Sequence, residues 1–167
     1  MKLSEIKEGE GVFIDANIFI YHFTGVSQEC KEFLKQCLQK KYIACTSLSI
    51  LAEVCHRLMA IEAVSLGMVK PKNPSISLQK DPGCVKNLYT YYTQITNILS
   101  WDIKIIPIPD NIFIKSQNYR QRFGLLTNDS FIPVYMEQSG INHLASADKL
   151  FKTIPHILLC SPADIHL

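Results

Sequence analysis

The stretch of sequence that decides the fold is Gly11-Val12-Phe13-Ile14-Asp15-Ala16-Asn17-Ile18-Phe19-Ile20. Its continuous apolar run, residues 12–14, predicts a short buried strand of the kind found inside a parallel sheet. Asp15 follows directly, at the carboxyl end of that strand. An unpaired carboxylate in apolar surroundings costs several kcal/mol, so such a residue normally has a hydrogen-bonding partner or a metal. Asp15 is therefore either the cap of a helix that begins at Ala16 or a ligand.

The rest of the chain alternates short apolar runs with helical patterns. Further strands are predicted at 42–45, 103–108, 142–145 and 156–160. Apolar spacing predicts helices over 27–40, from a cap at Thr46 or Ser47, and over 85–99, 110–122 and 127–140, with a brief helix after Asp148. Strands separated by helices in this way imply an α/β protein whose parallel sheet is covered on both faces.

Length and composition fit one globular domain spanning residues 1–167. No apolar stretch approaches the roughly 18 residues of a membrane-spanning helix. Acidic residues precede the first apolar run, which argues against a secretory signal and predicts a cytoplasmic protein. The net charge of +2 is too small to indicate a nucleic-acid binder by itself, although local basic patches still matter.

The cysteines and prolines carry less information about chemistry. The six cysteines contain no C-x-x-C pair and are interpreted as buried reduced thiols rather than as a zinc site. Residues 67–83 hold three prolines and little periodicity, which predicts a loop.

Four acidic residues stand beside apolar runs in similar ways: Asp15, Glu53, Asp129 and Asp148. Asp15 and Asp148 follow predicted strands, whose carboxyl ends meet in the crevice where open α/β sheets bind ligands. Asp129 falls in the first turn of a predicted helix, and Glu53 borders the helix face turned toward the sheet. Singly, each could be a helix cap, a turn residue or a solvated residue; together they predict one site.

Such a site would favour a divalent cation. Four carboxylates in one crevice raise each other's pKa, and a hard cation such as Mg²⁺ or Mn²⁺ relieves that repulsion. Cations of this kind lower the pKa of a bound water and neutralise charge on a scissile phosphate, so phosphodiester hydrolysis is the predicted chemistry.

Four segments resemble the PIN-domain family, in its order and at roughly its spacings. They are Phe13-Ile14-Asp15-Ala16-Asn17-Ile18-Phe19, Ser49-Ile50-Leu51-Ala52-Glu53-Val54, Leu125-Leu126-Thr127-Asn128-Asp129-Ser130 and Leu144-Ala145-Ser146-Ala147-Asp148-Lys149-Leu150-Phe151. The resemblance covers nearly the whole chain. It implies a three-layer α/β/α sandwich around a parallel sheet of four or five strands.

The resemblance also implies a function and roles for individual residues. It implies a metal-dependent ribonuclease in which Asp15, Glu53, Asp129 and Asp148 are the metal-binding, catalytic acids. Asn17, Thr127 and Ser146 would be supporting polar groups. Single-domain members of this size are often toxins of VapBC-type toxin–antitoxin pairs, commonly dimeric and inhibited by a small partner protein. The chain departs from the family at Pro133, inside a helix that is usually smooth, and in its longer 67–83 loop.

A second family accounts for less of the sequence. The segment from Asp15 to Asn17 also resembles the nucleophilic aspartate motif of haloacid dehalogenase-type phosphatases. Those enzymes need a second aspartate two residues on as acid–base catalyst, and Asn17 cannot serve in that role. Asp15 is better interpreted as an anchor for a cation than as a nucleophile.

Basic residues near aromatic ones are candidates for binding single-stranded RNA. Lys70 and Lys72 lie in the proline-rich stretch, just before a predicted helix rich in tyrosine, and Arg120 and Arg122 precede the Asp129 segment. A solvated face over a buried aromatic stripe, or a dimer or antitoxin surface, explains the tyrosines equally well.

The expected function is therefore a Mg²⁺- or Mn²⁺-dependent endoribonuclease that acts on RNA. The resemblance extends this expectation to the toxin of a VapBC-type pair that binds a small antitoxin and forms a homodimer. Two alternatives stay open. One is a nuclease that matures ribosomal or other structural RNA without an antitoxin, and the other is a non-catalytic RNA- or protein-binding module.

Overall fold

The computed structural model describes residues 1–165 and contains a five-stranded, wholly parallel sheet. The strands are β1 (Gly11–Ile14), β2 (Ile43–Ser47), β3 (Lys104–Ile106), β4 (His143–Ala145) and β5 (Leu158–Cys160). Their order is β3-β2-β1-β4-β5, so the chain leaves β1 in one direction and later returns to its other side. The strand order reverses between β1 and β4, which is where open α/β sheets form a ligand crevice.

Helices flank the sheet, as the predicted three-layer arrangement requires. They are α1 (Ala16–Thr24), α2 (Gln28–Leu38), α3 (Leu48–Ser65), α4 (Pro74–Lys80), α5 (Pro82–Lys86), α6 (Thr90–Ser100), α7 (Ile112–Phe123) and α8 (Thr127–Ser139), with a short 3₁₀ helix at Lys149–Thr153. Helix α1 packs on α2 and α3, α3 packs on α4 and α6, and α7 packs on α8. The fold class is confirmed. The single domain over 1–167 stays a prediction, and residues 166–167 lie outside the described residues.

The core is built on the first strand. Val12, Phe13 and Ile14 are completely buried, and the ring of Phe13 stacks on that of Tyr135 from α8 with centroids 5.9 Å apart. Pro133 lies within α8 and is buried, and the helix runs from Thr127 to Ser139 with it inside. None of the helices in the described part of the chain combines the length and apolarity that crossing a membrane needs.

The predicted loop at 67–83 and the helix over 85–99 are both wrong in part. Pro74 and Pro82 each begin a short helix, because proline has the backbone φ of a first helical residue and no N–H to lose. The tyrosine-rich helix begins only at Thr90. Tyr89, which directly precedes this helix, and Tyr92 within it are exposed.

Glu62 of α3 explains where the tyrosine-rich helix begins. Its buried carboxylate accepts hydrogen bonds from the backbone N–H groups of Tyr89, Thr90 and Tyr91 at 2.8–2.9 Å. The first N–H groups of a helix have no partner within it, so an acidic side chain there caps the helix and complements its dipole. Glu62 therefore fixes α6 against α3.

Two smaller expectations also need correction. Strand β3 covers three residues rather than the predicted 103–108, and Pro107, which directly follows it, has no N–H to donate to the ladder. All six cysteines are free thiols, as expected, but Cys55 and Cys84 are only partly buried.

Candidate active site

The candidate site lies where β1 and β4 end side by side. The two strands pair in parallel, with Ile14 opposite Ala145, and the backbone N–H of Asp15 donates to the carbonyl of Ala145 at 3.0 Å. This pairing brings Asp15 and Ser146 together although they are 131 residues apart in sequence. The strand pairing thus positions the first polar group of each motif.

The Asp15 carboxylate is held by three donors. Oδ1 accepts from the backbone N–H of Ala16 at 2.7 Å, and Oδ2 accepts from Asn17 Nδ2 and Ser146 Oγ, both at 2.6 Å. A carboxylate has about four lone-pair positions, so one position on Oδ1 stays open to a ligand. Asp15 therefore caps α1 and keeps a free acceptor, which combines both interpretations of its sequence context.

Ser146 connects three parts of the site. Its buried hydroxyl donates to Asp15, and it accepts from Asn17 Nδ2 at 3.1 Å and from the backbone N–H of Asp148 at 3.0 Å. Asn17 adds a second link, since its Oδ1 accepts from the backbone N–H of Ala147 at 3.0 Å. The end of β1 and the segment after β4 are thereby joined as one rigid unit.

The other acids come from separate elements. Asp129 is half-buried in the first turn of α8, as predicted, and Glu53 is half-buried on α3. The carboxylate of Asp148 accepts from the backbone N–H of Leu150 at 2.9 Å and caps the 3₁₀ helix that follows. Four different segments thus supply the four acids.

The electrostatics indicate that these acids influence each other. Burial raises the pKa of Asp15 from 3.8 to about 6; hydrogen bonds from Ser146 and Ala16 oppose this shift, and the charges of Glu53 and Asp129 add to it. Burial also raises the pKa of Asp129, with further contributions from Glu53 and Asp148. Every one of the four predicted acids thus enters the same electrostatic cluster.

The residue types fit a hard divalent cation. The cluster offers only carboxylate, amide and hydroxyl oxygens, which suit Mg²⁺ or Mn²⁺, and its mutual repulsion is what a cation would relieve. Within residues 1–165 no three acidic, histidine or cysteine side chains stand close enough to ligate an ion together. Mg²⁺ usually keeps several of its waters, so one or two direct carboxylates with water-mediated contacts to the others match this arrangement.

The two arginines predicted to bind RNA occupy different surroundings. The guanidinium of Arg120 donates to Ser116, Ser130, Gln117 and the carbonyl of Phe113 at 2.8–3.1 Å, which ties α7 to the first turn of α8. These contacts argue against Arg120 as an RNA-binding group. Arg122 is exposed, with its guanidinium over the ring of Phe123.

The remaining predicted residues are exposed. Thr127 is the first residue of α8. Lys70 and Lys72 flank Pro71, which lines an apolar groove of about 490 Å³ between α3 and the start of α4. Arg57, which pairs with Glu53 on α3, lines the same groove.

Sequence reasoning missed Arg57, Lys149 and Tyr21. All three line a cavity of about 460 Å³ that is shared with Asn17 and Asp148. Signals for two of them were available, because Arg57 is four residues after Glu53, on the same helix face, and Lys149 directly follows Asp148. Tyr21 gave no signal beyond lying on α1, one helical turn after Asn17.

Comparisons with known proteins agree with this fold. A family model described as PIN domain matches residues 12–157. The fold is similar to VapBC2 from Rickettsia felis bound to a DNA fragment from their promoter (TM-score 0.58, 17% identity, 90% of this chain and 97% of that one). It is also similar to a toxin–antitoxin complex from Klebsiella pneumoniae (TM-score 0.57, 20% identity, 94% of this chain and 100% of that one). No curated protein matches the sequence.

Proposed function

Since the chain belongs to the PIN-domain family, we propose that it is a Mg²⁺- or Mn²⁺-dependent endoribonuclease of the cytoplasm that hydrolyses RNA phosphodiester bonds. PIN domains are generally nucleases. The observation that carries the proposal is the electrostatic coupling of four acids from four segments at the switch point of the sheet. Burial, with added repulsion from neighbouring acids, raises the pKa of Asp15 and Asp129. Such shifts are costly for folding and are typical of a site that binds a cation.

The residues of the site have separable tasks in this proposal. Asp15, Glu53, Asp129 and Asp148 would hold the cation, directly or through its waters. The cation would supply a water of lowered pKa and neutralise charge on the scissile phosphate. Asn17 and Ser146 orient Asp15, as outer-sphere partners of metal ligands commonly do. Thr127 would add a hydroxyl at the edge of the site.

We further propose that the chain is the toxin of a VapBC-type pair, forms a homodimer and is inhibited by a small antitoxin. Two structures that share its fold, described as VapBC2 and as a toxin–antitoxin complex, support this assignment. The exposed tyrosines and leucine of α6 and its approach, Tyr89, Tyr92 and Leu99, supply apolar surface of the kind that protein interfaces use.

Metal removal tests the nuclease proposal directly. We expect the purified protein to cleave single-stranded RNA with Mg²⁺ or Mn²⁺ and to lose that activity when EDTA removes the ion. The activity should return on adding Mn²⁺ in excess of the chelator, because the acids are retained and only their counter-ion was lost. Cleavage that persists unchanged in EDTA, in protein shown by elemental analysis to be metal-free, would contradict the metal requirement.

The partner is tested by isolating the tagged chain from its native cells. We expect one small protein to co-purify in a fixed ratio and to suppress RNA cleavage when it is added back. The control is the same tag on an unrelated protein, which should not retain it. Recovery of ribosomal precursors without any small protein would instead favour the RNA-maturation nuclease.

A further inference from the structure

A cavity of about 460 Å³ opens beside the acids and has a different charge pattern from them. Its lining is contributed by α1, α3 and the segment after β4, and consists of Asn17, Tyr21, Arg57, Ala147, Asp148 and Lys149. Two of these residues belong to the acidic site, two are cations and one is aromatic. The acidic cluster therefore borders a pocket with two positive charges.

The Arg57 guanidinium is available for a ligand. Its one charged partner within residues 1–165 is Glu53, at 3.8 Å, and its side chain is 51% exposed. An exposed ion pair at that distance contributes little and yields readily to a competing anion. The guanidinium of Arg120, by contrast, already donates its N–H groups to neighbouring side chains and a backbone carbonyl.

The position of the cations suits the nucleic-acid backbone. Four acids repel a polyanion, so a strand that places one phosphate among them gains from cations next to that position. Arginine presents a planar fork that matches phosphate oxygens, and lysine adds a compact charge. Tyr21, half-buried on the same wall, offers a ring face on which a base can stack.

We propose that this cavity binds the RNA phosphate adjacent to the scissile one, with Arg57 and Lys149 as its cations. The inference rests on the proposed function for its substrate class, and it assigns residues that the family motifs do not include. In this proposal Arg57 has two alternative partners, the Glu53 carboxylate and the RNA phosphate. Glu53 would release the Arg57 guanidinium to the phosphate if its carboxylate held a divalent cation, and metal and RNA would then assist each other's binding.

The test measures RNA binding without cleavage. A fluorescent single-stranded RNA of mixed sequence is titrated in EDTA at several salt concentrations against wild type, Arg57→Ala, Lys149→Ala and the double variant. We expect the slope of log K against log salt to fall by about 0.7 for each cation removed, and affinity near 0.1 M salt to fall on the order of tenfold in the double variant. Arg57→Lys should keep the slope and lose part of the affinity, because it retains the charge without the fork.

Lys152→Ala is the matched control, since it removes the same charge from the same short helix outside the cavity lining. Thermal melting of each variant checks that the fold is retained. A double variant with the wild-type slope, in a protein that cleaves RNA, overturns this inference alone. Loss of binding in the cavity variants of a protein that never cleaves supports an RNA-phosphate site in this cavity while the proposed function fails. An unchanged slope with loss of the co-purifying small protein overturns it in favour of a protein-binding cavity.

Discussion

Replacing Asp129 by asparagine should lower metal-supported RNA cleavage by at least about a hundredfold, the scale on which one lost electrostatic contact to a transition state acts. Asparagine keeps the shape of the side chain and removes its charge. Asp129 belongs to the coupled acids yet, within residues 1–165, makes no side-chain hydrogen bond that the fold depends on. The measurement is the initial rate of cleavage with Mn²⁺, alongside a thermal melt that should match wild type.

Asp110→Asn is the matched control, because it makes the same change at an exposed position just before α7. It should cleave at the wild-type rate. Asp15→Asn should be inactive too, but it also disturbs three hydrogen bonds and is the less selective probe. Wild-type cleavage by both Asp129→Asn and Asp15→Asn would show that the catalytic centre lies elsewhere.

We expect metal-free protein to become less stable, relative to an Asp15→Asn variant, as pH rises from 5 to 7.5. The folded state raises the pKa of Asp15 from 3.8 to about 6, so between these values it keeps a proton that the unfolded chain has released. Stability therefore falls as pH rises through this window. The total cost is on the order of 3 kcal/mol, of which about 1.5 kcal/mol develops between pH 5 and 7.5.

The prediction is checked by urea unfolding in EDTA at both pH values, with the difference between variant and wild type as the measured quantity. Taking that difference removes the contribution of His22. Burial lowers the pKa of His22, so its titration makes stability rise with pH, opposite to the effect of Asp15. The difference also cancels Glu62 and Asp164, whose lowered pKa values act below this window. Saturating Mn²⁺ should stabilise wild type more at pH 7.5 than at pH 5. A difference that stays constant with pH would show that folding does not raise the pKa of Asp15.

The sheet and the acidic cluster could be predicted because each rests on a local signal. A buried strand reads as a continuous apolar run, and Asp15, Glu53, Asp129 and Asp148 each stand at a fixed place relative to such a run or a helix start. The parallel arrangement then brings the ends of β1 and β4 to one edge. No contact between distant residues had to be known.

The parts that escaped prediction depend on contacts between distant residues. The start of the tyrosine-rich helix is set by Glu62, twenty-eight residues before Thr90, and nothing near residues 85–89 indicates that cap. Arg120 and Arg122 look alike in sequence, and only the packing of α7 on α8 shows which one is committed to hydrogen bonds. The candidate role of Arg57 could not be predicted because it depends on a cavity that three separate elements line.

The hydroxyl of Ser146 has a consequence for the timing of synthesis. Asp15 emerges from the ribosome early, but the group that orients it lies 131 residues later, and Asp148 comes later still. A nascent chain that has not yet added β4 holds three of the four acids without the strand that assembles them. For a protein proposed to cut RNA in the cell that makes it, the active site would therefore be assembled only after β4 and the segment that follows it have been synthesised.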